Sequence, residues 1–283
     1  MAGPNFYTSP PHSVTVQGAY EPFDLQVARR QIMGHQGYFR FGWANAVGSS
    51  PQTISTFSAT GAGYVYPTSA TVMKVSSSNA ADAAAGTGAR TLLVAGLDAN
   101  YNSISETVTL NGVTPVNTTN SYLRILYTEI TSTGSGNAQA GTIYVGTGVV
   151  SGGGVPATIY WQSESTYNNW SFAGFTVPAG YTAYVTSYTV TSQSTTANQN
   201  ISCGLVVFEY GDASSTTAQG YPELQSTARL TSNSQFDRHF DYQFAISEKS
   251  DFELRAWNQT GTTAVNVTGE IQFILIKNDS QSA

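Results

Sequence analysis

Cysteine is almost absent. Cys203 is the one thiol in 283 residues, so no disulfide can form within the chain. Its neighbours, Ile201-Ser202 and Gly204-Leu205-Val206, predict a buried strand thiol rather than a reactive one. Charge is scarce too. There are 11 Lys and Arg and 17 Asp and Glu, 10% of the chain where about 25% is usual. A formal net charge of −6 and a pI of 4.9 set aside nucleic acid as a partner held by phosphate neutralisation. No apolar run approaches the roughly 18 residues of a membrane span, so no membrane insertion is expected. The first residues, Met1 to His12, show neither the basic cluster nor the apolar stretch of a secretory signal.

What fills the gap is hydroxyl. Ser and Thr total 68, with 27 Gly and 17 Tyr. These are weak helix formers, and Thr and Tyr favour strands, so the composition predicts an all-β protein. Hydrophobic residues make up 40%, enough to bury a sizeable core and to exclude a disordered chain. A hydroxyl-rich, lysine-poor surface suits a protein that works outside cells, yet neither disulfide nor export signal accompanies it. A protein made in the cytosol, assembled into a particle and released by lysis reconciles the two. Six Asn-x-Ser/Thr sites (Asn117, Asn169, Asn200, Asn258, Asn266 and Asn278) are expected by chance at this Ser/Thr content.

Along the chain, residues 1–30 read as an extended arm. Pro4, Pro10, Pro11 and Pro22 break regular structure, while Phe6, Tyr7, Val14, Val16, Tyr20 and Phe23 supply apolar anchors. We expect the arm to order against neighbouring subunits, with Phe6, Tyr7, Tyr20, Phe23, Arg29 and Arg30 at the interface; a frayed terminus is the alternative. A short helix is predicted near Leu25–Met33. Residues 31–150 carry seven strand-like runs at about ten-residue spacing, the pattern of an antiparallel β-sandwich. Within them Ile104–Leu110 alternates apolar and polar, and Asn111-Gly112 predicts a tight hairpin. Ser151-Gly-Gly-Gly-Val-Pro-Ala157 reads as a linker over 151–158. Residues 159–283 repeat the all-β pattern, with Ile271–Ile276 apolar enough to be a central strand. The expectation is thus two antiparallel, jelly-roll-like β-sandwich domains behind an N-terminal arm. Residues 1–158 are neutral, with six basic and six acidic side chains, and residues 159–283 carry five and eleven. That asymmetry suggests a docking end and an exposed end.

Several stretches bear a family likeness. Val75-Ser-Ser-Ser-Asn-Ala-Ala-Asp-Ala-Ala-Ala-Gly-Thr-Gly-Ala-Arg90, Gly96-Leu-Asp-Ala-Asn-Tyr-Asn102 running on to Gly112, and Tyr122-Leu-Arg-Ile125 resemble virion structural proteins of tailed bacteriophages, particularly those of aquatic hosts. Val27-Ala-Arg-Arg-Gln-Ile-Met-Gly34, continuing to Gly42, resembles the opening of the same module. The likeness spans about residues 27–158. Residues 170–278, with Val177-Pro-Ala-Gly180 and Ser247–Arg255, resemble the jelly-roll tips of phage appendages. The resemblance implies a non-enzymatic β-sandwich component of the virion, assembled as a homo-oligomer. Its partners would be other virion proteins, at the portal and neck, the tail or the major capsid protein. It supplies no catalytic residues and no cofactor, and capsid, neck and tail all remain open as its place.

The best cluster for chemistry is Phe236–Phe244. On a strand, Asp237, His239 and Asp241 share one face, a set that suits Zn²⁺ or Mn²⁺; a solvated polar face opposite an aromatic one is the plainer reading. His12 and His35 have no carboxylate or Cys at ligand spacing. No Gly-x-Ser-x-Gly, His-Glu-x-x-His or Gly-Lys-Ser/Thr motif is present, and Gly86-Thr-Gly88 and Gly146-Thr-Gly148 lie between strands as turns. A polysaccharide-cleaving enzyme would need clustered carboxylates, and only the Asp237/Asp241 pair is offered, so no enzyme is expected. Trp161, Tyr167, Trp170 and Phe172 fall close together and Trp257 ends a late strand. Core packing explains such rings most simply, and contact with a host-surface glycan through Trp170 and Trp257 is the alternative.

Overall fold

The computed structural model describes residues 21–57, 63–165, 169–196, 198–209, 222–260 and 265–278. One short helix, α1 (Phe23–Ala28), precedes seventeen strands among these residues. They are β1 (His35–Val47), β2 (Gln52–Thr53), β3 (Thr71–Ser77), β4 (Ala89–Leu97), β5 (Ser103–Thr109), β6 (Val116–Tyr122), β7 (Arg124–Thr133), β8 (Ile143–Val150) and β9 (Pro156–Glu164). There follow β10 (Asn169–Trp170), β11 (Gly174–Thr176), β12 (Tyr181–Gln193), β13 (Asn200–Phe208), β14 (Pro222–Thr231), β15 (Ser234–Ile246), β16 (Asp251–Asn258) and β17 (Val265–Lys277). All their pairings are antiparallel. The architecture is all-β, as the hydroxyl-rich composition predicts.

Four sheets form two layered cores. An outer sheet, β1-β17-β12-β15, and an inner sheet, β11-β16-β13-β14 with β2 beside β16, enclose the larger core. Val185, Val190, Ile271 and Phe273 of the first sheet meet Leu205, Val207, Phe252 and Leu254 of the second there. A five-stranded sheet, β10-β9-β8-β3-β6, and a three-stranded one, β5-β4-β7, enclose the smaller core around Met73, Val75, Leu92, Val94, Tyr122 and Trp161.

These cores do not follow the chain order that the sequence suggests. β1 lies inside the expected 31–150 unit, yet it pairs with β17 from His35↔Ile276 to Val47↔Val265, and Ala44, Val47 and Ile54 sit in the larger core. The smaller sandwich is largely residues 71–164, framed on both sides by segments of the larger. Nor is 151–158 a linker. Val150 pairs with Pro156, and the Ser151 N–H donates to Val155 O at 3.0 Å, so the glycines form the turn of the β8–β9 hairpin. Gly153 and Gly154 have φ of 90° and 76°, which explains their presence without any need for a flexible tether. Gly112 has the positive φ expected of it, 60°, but β5 and β6 belong to different sheets, so Asn111-Gly112 turns the chain between layers instead of closing a hairpin.

The inner sheet is buried on both sides along β16 and β13, while its edge strand β14 is largely exposed. Val206, Phe208 and the neighbouring Phe172 point out of the larger core and into the smaller one. Every residue of β13 from Ile201 to Phe208 is buried. Burying both faces of a strand favours the continuous apolar run found there. Between the two sandwiches runs a polar seam. The buried Arg124 of β7 makes a two-pronged ion pair with the buried Asp251 of β16, Nε to Oδ1 at 2.9 Å and Nη2 to Oδ2 at 2.7 Å. Its Nη1 donates to Pro67 O, and its guanidinium lies 4.9 Å from the Tyr66 ring. Two residues along β16, the buried Glu253 accepts from the Tyr66 hydroxyl at 3.0 Å, the Thr53 hydroxyl at 3.1 Å and Arg255 Nε. Burial pushes the Glu253 carboxyl above its usual value, against the pull of Arg255.

In the smaller sandwich, the buried Asp82 collects donors instead of a cation. Its carboxylate accepts from Ser77 Oγ, Ala89 N, Ala140 N and Gly141 N at 2.6–2.9 Å. The loop before β4 and the approach to β8 are thereby tied together, and the buried charge is solvated by oriented neutral dipoles.

Candidate docking site

The N-terminal end of the described chain is built on α1. Pro22 stands at its N-cap with φ −55°, Asp24 faces the positive end of the helix, and Arg30 at φ 58° ends the turn that follows. The helix thus covers Phe23–Ala28 rather than the Leu25–Met33 expected, because the break falls at Arg30. Val27 anchors it: this side chain is buried against Ile274 and Ile276 of β17, with Ile32 and Tyr184 beside them. That contact explains why β17 is apolar on both faces at its C-terminal end.

The rest of this end is open and apolar. Phe23 is 40% exposed, Leu25 47% and Met33 90%. Phe23 keeps one edge against the His35 ring, 6.0 Å away. Arg29 pairs with Glu21 at the surface, a contact worth about 0–1 kcal/mol. Of the expected interface residues, the structure therefore sets Phe23, Arg29 and Arg30 together on and just after one exposed helix. Phe6, Tyr7 and Tyr20 lie outside the described residues.

Two hollows flank the helix. One of about 620 Å³ is bounded by Asp24, Val27, Phe39, Phe240, Gln272 and Ile274. The other, about 560 Å³, follows the connection from α1 to β1 past Ile32, Met33 and His35. A smaller cleft of about 280 Å³ lies where Tyr38 meets Ser103–Ser105 and Leu126 of the other sandwich. Tyr38 lines all three. Its ring stacks on Phe273 at 5.3 Å, and the buried Arg40 guanidinium sits 5.7 Å from it and 5.1 Å from Phe175. Burial lowers the Arg40 pKa to about 10, which leaves it charged at neutral pH, while burial raises that of Tyr38.

The Phe236–Phe244 segment forms β15, an edge strand. Phe236, Phe240 and Phe244 pack on the larger core. Strict alternation fails in its middle: Val185 pairs with Phe244 and Ser187 with His239, so one residue of β12 stands opposite four of β15. Asp241 lies in the resulting bulge, with Tyr242 beside it 93% exposed. Asp237 and His239 stay on the paired strand. Asp237 is engaged by the Thr189 hydroxyl at 2.7 Å and by Gln235 Nε2 at 2.8 Å, and these bonds hold its carboxyl below the usual carboxylate range. The bulge thus separates Asp241 from the other two. Among the described residues no three His, Cys, Asp or Glu side chains stand where they could share a metal ion.

The tryptophans divide. Trp161 is buried in the smaller core, edge-on to Phe172 at 6.0 Å. Trp257 is half-buried on β16 opposite Ser202, and Trp170 pairs through its backbone with Ser163. The Cys203 thiol is buried, with its pKa pushed up to about 12 by burial, as its apolar neighbours predict. One aromatic feature escapes a reading that weighs tryptophans singly. Phe39, Phe41 and Trp43 alternate along β1 and form a row, with centroids 5.9 and 6.1 Å apart. The spacing i, i+2, i+4 in Tyr38–Trp43 was the signal for it.

No family model and no curated protein matches the chain. Solved structures similar to it include that of the infectious bursal disease virus Gx strain, at 9% identity and a TM-score of 0.26 over 86% of this chain and 72% of that one. The VP2 subviral particle of infectious bursal disease virus overlaps 91% of this chain and 78% of its own at 10% identity and a TM-score of 0.19. The T=1 particles derived from that virus overlap 92% and 76% at 10% identity and a TM-score of 0.20.

Proposed function

We propose that this protein is a non-enzymatic structural component of a virion. In its sharper form, it is an oligomeric head–tail or tail appendage protein of a tailed bacteriophage, docking through the N-terminal arm and the α1–β1 end. The observation that carries the reading is the set of exposed apolar side chains on and after α1. Phe23, Leu25 and Met33 stand out at the point where the aromatic-rich first twenty residues join the body. Surfaces of this kind are desolvated when subunits meet. The resemblance over residues 27–158 supports the same reading, as does a surface solvated by hydroxyls in place of charge.

Native mass spectrometry on the full chain and on a chain starting at Glu21 tests it. A discrete oligomer is expected from the full chain, and monomers from the shortened one and from Leu25→Ser/Met33→Ser. A monomer throughout would overturn the appendage reading and favour a capsid decoration or cement protein that orders only on the shell.

A further inference from the structure

We infer that the outward face of the β1-β17-β12-β15 sheet binds an extended, neutral oligosaccharide. The register fixes what stands on that face. Phe39, Phe41 and Trp43 on β1 lie opposite Gln272, Glu270 and Thr268 on β17. Gln272, Glu270 and Thr268 in turn lie opposite Ser187, Thr189 and Thr191 on β12, and these lie opposite His239, Asp237 and Gln235 on β15. Alternate residues of the same strands, Ile271, Phe273, Val190 and Phe236, point the other way into or against the core. The face is therefore an aromatic column along one edge followed by three columns of amides, hydroxyls, carboxylates and the His239 imidazole, of which Ser187 alone is buried.

That combination matches the chemistry of a sugar chain. A pyranose ring offers a C–H face that stacks on aromatic rings and a rim of hydroxyls that both donate and accept. Phe39 is 48% exposed, Phe41 and Trp43 are half-buried, and the Phe41–Trp43 pair is near-parallel at 14°. Three rings in a row suit successive units of an extended chain better than a single monosaccharide. Across the sheet, the exposed Glu270 and Gln272 and the carboxylate of Asp237 supply the acceptors and amide groups for the hydroxyl rim. Asp237 is already oriented by Thr189 and Gln235.

The column is also held in place before any ligand arrives. Phe41 O accepts from Phe172 N at 2.9 Å, and Trp43 N donates to Ser171 Oγ at 2.9 Å, which pins the edge of β1. Pre-organised rings lose little freedom on binding. At the other end the face runs into the hollow of about 620 Å³ bounded by Phe39, Gln272, Phe240 and α1, which leaves space beyond the last ring. Charge selects among sugars. Glu270 and Asp237 face outward with His239 as the only basic side chain in these rows, so uronate- or phosphate-bearing chains are repelled. The same charges oppose one another if two copies stack face to face. The aromatic row and the polar columns include none of Phe23, Leu25 or Met33, the residues that carry the docking reading; the hollow beside α1 is the one part the two share.

Calorimetric titration of the full chain with the hexasaccharides of β-1,4-linked glucose and of β-1,4-linked N-acetylglucosamine tests it, with the galacturonate hexamer as acidic control. Binding of at least one neutral hexamer is expected, accompanied by a change in tryptophan emission. Phe39→Ala/Phe41→Ala should weaken it about tenfold or more, and Glu270→Gln/Asp237→Asn severalfold, with melting temperatures checked. Tyr242→Ser, on the bulge, should leave it unchanged. Absence of binding by both neutral hexamers overturns the inference. So does preference for the galacturonate hexamer, or binding unaltered in the aromatic variant. Loss of self-association in that variant, without any sugar binding, would make the face a contact between copies instead.

Discussion

The two sheets of the larger sandwich share one core and differ on their other faces. The inner sheet is covered by the smaller sandwich along β16 and β13, with β13 buried from Ile201 to Phe208 and only the edge strand β14 largely open. Among the described residues, the outer sheet is covered where Val27 of α1 lies on Ile274 and Ile276, and beyond that point it shows polar side chains and an aromatic row. The inner sheet thus serves cohesion, and charges on it must be neutralised within the protein. The outer one is free to carry recognition, because a side chain there can change without disturbing packing.

That contrast can be broken most severely at the seam. Arg124→Ala would leave Asp251 buried without its cation, and a loss of about 3–5 kcal/mol is expected in urea unfolding followed by tryptophan fluorescence. A loss below about 1 kcal/mol would mean that the seam joins two bodies without stabilising either. A pair of substitutions sharpens the comparison next. Leu205→Ala in β13 should cost about 2–5 kcal/mol, whereas Gln235→Ala on the open face should stay within about 0.5 kcal/mol. Similar costs would erase the distinction between the sheets.

The smallest effect concerns pH. Burial raises the Glu253 carboxyl, so the folded state holds that proton more tightly than the unfolded chain does. Ionisation therefore costs stability above the raised pKa, and the cost is relieved as pH falls towards the ordinary glutamate range. Glu253→Gln removes this titration. The wild-type protein should gain on the variant between about pH 7 and about pH 5, read from urea midpoints. A constant difference would place the carboxylate under the control of Arg255 at both values.

Much of this was legible in the residues and some was not. Strands such as Ile104–Leu110 and Asp251–Trp257 announce themselves by alternation or by continuous apolar runs, because burial acts on side chains one by one. Partnership is another matter. Nothing local in Tyr38–Trp43 says that its neighbour is Val265–Lys277, and so the expected boundaries near 31 and 158 miss how the cores are shared. Glycines at 152–154 signal a reversal and a tether equally well; only the Val150–Pro156 pairing decides. Asp237, His239 and Asp241 follow the period of a strand, and the four-residue bulge that separates them depends on the partner strand's register. The aromatic row was readable from its spacing, but the Gln272, Glu270 and Thr189 beside it come from distant parts of the chain.

The pairing of β1 with β17 has a consequence in time. More than two hundred residues separate the strands, so during synthesis the first must wait roughly ten to forty seconds for its partner to be made. The smaller sandwich, formed mostly from nearby hairpins, can close well before that. A polypeptide interrupted anywhere before Val265 would leave β1 without the strand that holds it, and with it the seat of α1. Incomplete copies would then lack Ile274 and Ile276, the surface on which Val27 seats α1, so the exposed Phe23 and Leu25 could not be held in place until β17 has been made.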